Sequence, residues 1–223
     1  MLENNKPSVF SKVFKFIVLL ATGVMLTFVL LSFGVQKWIV VIAVLVLYIS
    51  VSIVWPMYII YQSKSLWAIG RYVSSNYKKP IFGYSYALAN GNKKDIENSL
   101  KRIVNTYTQQ DMSDIYGANL AIFQNNSKAV MGHAEKISGQ EYKDYYLGHA
   151  YVMNGNFDKA SDFLAKLHTP WMSHALKAYA ALKRGNRDEY GTEMNSSINS
   201  ATGMQRFVLH HIKKRFENGD FKV

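Results

Sequence analysis

Apolar positions are distributed along this chain in two unlike ways. Residues 16–35 carry no charge. A helix of that length, rising about 1.5 Å per residue, matches a hydrocarbon core about 30 Å thick. A second uncharged run covers residues 38–61, and Gln36 and Lys37 alone separate the two. So short a link forces the helices to return antiparallel, and the pattern predicts a transmembrane hairpin. A removable signal peptide is the competing reading of the first run. Ser32, Phe33, Gly34 and Val35, however, lead straight into the second run without a small-residue cleavage pattern. Folding back about Gln36 and Lys37 sets Gly23 and Ser50 at equal depth, where small residues let two helices approach closely. Pro56 is expected to kink the second span as it leaves the bilayer.

Beyond Ser63 the pattern changes to helical periodicity broken by short polar turns, with no alternating β-branched run that would mark a sheet. The expected class is therefore all-α. Residues 1–15 form an N-terminal segment, 16–61 the hairpin, 62–76 a juxtamembrane helix or linker, and 77–223 a helical domain. Turns recur at Gly91-Asn92, Asn125-Asn126, Gly155-Asn156 and Gly185-Asn186, so their second members are separated by 34, 30 and 30 residues. Such a period marks helix-turn-helix repeats, each burying its apolar face against its neighbours.

One unit, residues 146–160, carries Leu147, Gly148, Tyr151, Gly155, Phe157 and Ala160. Gly148 and Ala160 permit close packing, Tyr151 fills an interface and Gly155 permits the turn. With this spacing the unit resembles a tetratricopeptide (TPR) repeat. Pro170 then suits the first turn of the next unit. In the unit turning at Gly185, Lys177 and Tyr190 stand where the family has Leu and Ala. The units turning at Asn92 and Asn126 keep mainly the helical length and the turn. As architecture the resemblance covers residues 77–200. It implies a solenoid of α-α hairpins whose inner helices line a groove for a protein or peptide. The family's groove positions fall on Asn119, Phe123, Tyr145, His149, Met153, Tyr179 and Lys183. Residues 204–217 would place Met204, Phe207, Val208, His211, Ile212 and Phe216 on one helical face and Arg206, His210, Lys213 and Lys214 on the other. That suits a capping helix with a solvated outer face, or a basic helix lying on a membrane surface.

Charge adds orientation. Lys6, Lys12 and Lys15 precede the first span and Lys64, Arg71, Lys78 and Lys79 follow the second, while Lys37 alone marks the far side. The positive-inside rule puts both ends in the cytoplasm, as a two-span plasma-membrane protein. Abundant Lys, Asn, Ile and Tyr without Cys fits a bacterial source. The net charge of +11 points to anionic lipid headgroups as a further partner of the bilayer-bound chain. Nucleic acid ranks lower because no recognition motif accompanies the charge.

With no cysteine, disulfides and thiolate chemistry are excluded. Neither span holds an ionisable residue, which argues against transport. No phosphate-binding loop, dinucleotide fingerprint, nucleophile elbow or HExxH motif occurs, and the six histidines show no ligand spacing with carboxylates. The expectation is a binding protein without catalytic residues, metal or cofactor. Two matches to the N-glycosylation pattern, at Asn125 and Asn195, carry no weight on the cytoplasmic side.

Overall fold

The computed structural model describes residues 9–220, with side chains from Phe14 onward apart from Lys15. Of the cations used to orient the first span, Lys6 and the side chains of Lys12 and Lys15 lie outside the described residues. All regular elements within them are helical.

Helices α1 (Val9–Ser32) and α2 (Lys37–Ile49) pack together across a link at residues 33–36, where Gly34 takes φ +72°. The link thus centres two residues before the expected Gln36-Lys37 pivot. That displacement moves the position opposite Gly23 by about one helical turn. Tyr48 occupies the place: its hydroxyl would lie 2.7 Å from a Cβ added to Gly23, whereas Ser50 is exposed. The expected Gly23–Ser50 contact is replaced by a tyrosine ring over a buried glycine.

α2 continues through a π-helical turn (Ser50–Val54) into α3 (Trp55–Tyr61). Pro56 lacks an N–H and its ring crowds the carbonyl four residues back, so the backbone widens ahead of it. The Trp55 N–H accordingly donates to the Ser50 carbonyl, five residues away. Among the described residues, Lys37–Tyr61 is the one helix long and apolar enough to cross a membrane; the apolar part of α1, Phe16–Ser32, is shorter. Among the described residues, the exposed large apolar side chains other than Trp67 and Tyr142 all lie between Phe14 and Tyr61.

Residues 62–65 break the helix, and Ser65 caps α4 (Leu66–Asn76) by accepting from the Ala68 N–H. Four antiparallel hairpins follow: α5 (Pro80–Asn90) with α6 (Lys93–Thr106), α7 (Gln110–Phe123) with α8 (Ser127–Ala134), α9 (Gln140–Met153) with α10 (Phe157–Leu164), and α11 (Pro170–Lys183) with α12 (Arg187–Ser200). The recurrent asparagine at each turn has one local cause. Asn92, Asn126, Asn156 and Asn186 are the N-caps of the second helices, each accepting from the backbone N–H three residues on. In three of the turns the preceding residue takes the left-handed conformation that closes the first helix: Asn125 (φ 55°), Gly155 (φ 73°) and Gly185 (φ 78°).

Contacts between hairpins repeat as well. α7 packs on α9 and α9 on α11, forming an inner row, with α6, α8, α10 and α12 outside it. The first-turn carboxylates of the inner helices clamp the next entry segment. Asp111 accepts from the Ser138 N–H (2.8 Å) and hydroxyl, and Glu141 accepts from the N–H groups of His168 (2.7 Å) and Thr169 (2.6 Å). Inside the hairpins an acid–imidazole pair recurs sixty residues apart with its members exchanged, Asp114–His133 (2.8 Å) and His174–Glu193 (2.7 Å). His133 lies so close over Gly117 that a Cβ there would meet the ring at 2.5 Å.

The last helix, α13 (Gly203–Glu217), departs from the expected end cap. It contacts α12 but also α3, α4 and α5, and therefore crosses from the last hairpin back to the first. Phe207 is buried with Ile59, Ile69 and Val73, Leu209 joins the core of the later hairpins, and Val208 and Ile212 pack on the α5–α6 core. No broad solvated face survives: Leu209 is buried, Arg206, His210 and Lys213 are half-buried, and Lys214 and Glu217 are exposed. The Arg215 guanidinium donates to the carbonyls of Leu88 (2.9 Å) and Gly91 (2.5 Å), closing the C-terminal end of α5.

Candidate binding cleft

Between α13 and the inner row remains a cleft of about 150 Å³. Its apolar wall comes from Tyr84 and Leu88 of α5, Ile96 and Leu100 of α6, Ile122 and Phe123 of α7, and Ile212 and Phe216 of α13. Asn119, Asn125, Tyr179, Lys93 and Lys183 supply its polar groups. No carboxylate lines it among the described residues. Lys93 Nζ lies 5.9 Å from the centre of the Phe123 ring and Lys183 Nζ 5.8 Å from that of Tyr179. Both ammonium groups thus rest on aromatic faces, which attract a cation through the ring quadrupole.

The seven groove positions expected from the sequence form two rows at a 30-residue spacing, Asn119–His149–Tyr179 and Phe123–Met153–Lys183, with Tyr145 beside them. The outer members of both rows line the cleft. The middle members do not, because α9 is flanked by α7 on one side and α11 on the other. Tyr145 is 9% exposed and packs edge-on against Tyr146, His149 and Trp171. His149 is 7% exposed, between Tyr145 and Tyr179, and Met153 is half-buried against the core. Tyr145 and His149 are therefore packing residues and cannot meet a partner in this conformation.

Burial sets the ionisation of this region. Desolvation holds His149 neutral, with its pKa pushed down to about 3, and neither ring nitrogen has a hydrogen-bond partner. Desolvation also raises the Tyr179 phenol to about 12, so this tyrosine presents a neutral hydroxyl at pH 7. Asn119 donates to the Tyr146 hydroxyl (2.9 Å), which fixes its amide at the wall. Cations, amides and a neutral phenol over an apolar floor are equipped to hold an anionic group attached to an apolar one.

Sequence reasoning missed the α5, α6 and α13 contributions. The family's groove positions fall in three repeats only, and an end cap lies outside the stack. The signal for α13 is Leu209, an apolar residue outside the stripe that holds Val208 and Ile212. No group of three potential metal-ligating side chains occurs among the described residues. The two acid–imidazole pairs sit within hairpins, away from the cleft, as interhelical clips. Comparison of the chain with family models, curated proteins and solved structures found no match in any of the three.

Proposed function

We propose that this protein is a membrane-anchored adaptor of TPR-like architecture that holds a partner protein at the cytoplasmic face of the membrane. The observation that carries the reading is the cleft, whose apolar floor is overlooked by Lys93 and Lys183 with no lining carboxylate among the described residues. A partner segment joining an acidic side chain or terminus to a bulky apolar one has the complementary chemistry. Tethering both molecules to one surface raises their effective concentration, so a small site suffices.

The anchor belongs to the same proposal. α1 and α2–α3 form the two-span hairpin, with aromatic side chains at its ends. Trp38 and Tyr58, both exposed, are twenty residues apart, about 30 Å along a helix and so one hydrocarbon thickness. The positive-inside rule applied to the lysines supports cytoplasmic ends, and the composition supports a bacterial source. The adaptor role requires no catalysis.

Site-specific photocrosslinking tests the cleft. A photoreactive residue replacing Phe123 or Lys183 in the full chain is expected to give discrete protein adducts in native membranes, and one replacing exposed Asp162 on α10 is not. Equal adducts from all three positions, or none from the cleft, would overturn the reading.

A further inference from the structure

Residues 4–94 contain no Asp or Glu. Where this acid-free stretch leaves the apolar helix, Lys64, Arg71, Lys78 and Lys79 are exposed, and none is ion-paired among the described residues. Among the described residues beyond Tyr61, Trp67 at 61% is the most open large apolar side chain, ahead of Tyr142 at 41%. The Arg71 guanidinium lies 5.3 Å from the Trp67 ring centre. The other side of α4 is committed to the fold, with Ile69 and Val73 buried against Ile59 and Phe207.

The position of this face is fixed. The Thr202 hydroxyl donates to the Tyr61 carbonyl (2.7 Å) and the Gly203 N–H to that of Ser63 (2.8 Å), so the start of α13 holds the exit of α3. Leu66 lies five positions beyond Tyr61, a reach of about 17 Å at full extension. If α3 ends at the hydrocarbon boundary, Lys64 and Trp67 with the Arg71 guanidinium on its ring stand in or beside the headgroup layer, and Lys78 and Lys79 follow just past the end of α4.

We propose that Lys64, Trp67, Arg71, Lys78 and Lys79 form a docking surface for anionic phospholipid headgroups of the bilayer that anchors the chain. This inference rests on the membrane reading above. Tryptophan favours the interface, and each basic residue near a negative surface strengthens attachment about five-fold. Headgroup docking orients the cleft, because Phe207 of α13 shares one core with α4 while Ile212 and Phe216 line the cleft wall.

The test uses the full chain in detergent micelles, titrated with fluorescent phosphatidylglycerol or phosphatidylcholine. The wild type is expected to favour phosphatidylglycerol at least tenfold in low salt, with the preference shrinking as salt rises. Replacing Lys64, Arg71, Lys78 and Lys79 together by Gln is expected to reduce it to within twofold. The same number of substitutions at the outer helices and just past their ends, Lys128, Lys136, Lys159 and Lys166→Gln, is expected to preserve it. Absence of preference in the wild type, or equal loss in both variants, overturns the docking surface. Alkaline extraction of cell membranes separates the two failures: a wild-type chain retained in the pellet without lipid preference defeats this inference alone, whereas a released chain defeats the anchor.

Discussion

At the scale of single residues, Gly203 is the most constrained position. Its φ is +56°, and a Cβ would overlap the Ile60 carbonyl and crowd Tyr61. Gly203→Ala is expected to cost about 2–4 kcal/mol and to open residues 62–65 to proteolysis while the hairpins remain helical. Wild-type resistance in the variant would show that the dock is dispensable. His149 gives a pH signature. Its folded-state pKa, lowered by desolvation to about 3, lies below the ordinary 6.5, so between these values the unfolded chain binds more protons. Its contribution is complete above about pH 6.5 and is lost as pH falls towards 3, at a limiting slope of about 1.4 kcal/mol per pH unit. Burial lowers His211 to about 4, with the same sign. Urea unfolding of the full chain in detergent at pH 7.5 and 5 should show lower stability at pH 5, and His149→Phe should shrink that difference. An unchanged difference would mean that His149 is accessible to protons in the folded state.

At the scale of elements, the four hairpins were legible because their punctuation is chemical. An asparagine that must accept from the third N–H of a new helix appears in the sequence before any packing is known. Each Asn→Ala at positions 92, 126, 156 and 186 should cost about 1 kcal/mol, and distant pairs should add to within about 0.5 kcal/mol in thermal or urea unfolding. A negligible effect at any one site would mean that the cap adds nothing there. What periodicity could not give was the path of α13. Amphipathicity says that a helix buries a face, not which of several unfilled surfaces receives it. The shifted Gly23 partner has a similar origin, since the turn is set by Gly34 adopting positive φ and not by the polar pair Gln36-Lys37. Tyr145 and His149 match groove-facing positions in sequence yet are enclosed, because a single repeat does not reveal how tightly its neighbours pack on it.

At the scale of the whole molecule, α13 joins the end of the apolar helix to the first and last hairpins. It holds the exit of α3 through Thr202 and Gly203, fills space between the first and last hairpins, and forms one wall of the cleft. Phe207→Ala, at 1% exposure, should cost about 3–5 kcal/mol. It should also loosen the cleft, seen as faster hydrogen exchange in α4 and α5 together. Exchange confined to α13 would show that the three cores are not coupled. Under the proposed function, anchor, headgroup face and cleft would form one unit that presents a partner site at a set height above the bilayer. That arrangement depends on the hairpin placing residues 62–220 on the same side as the N-terminus. The absence of cysteine makes the chain a ready background for labelling. With Phe33→Cys in the link and Asp162→Cys in α10, each introduced singly, a membrane-impermeant maleimide should label intact cells only at position 33, and position 162 only after lysis. Labelling of position 162 from outside the intact cell, or of neither position before lysis, would contradict the account.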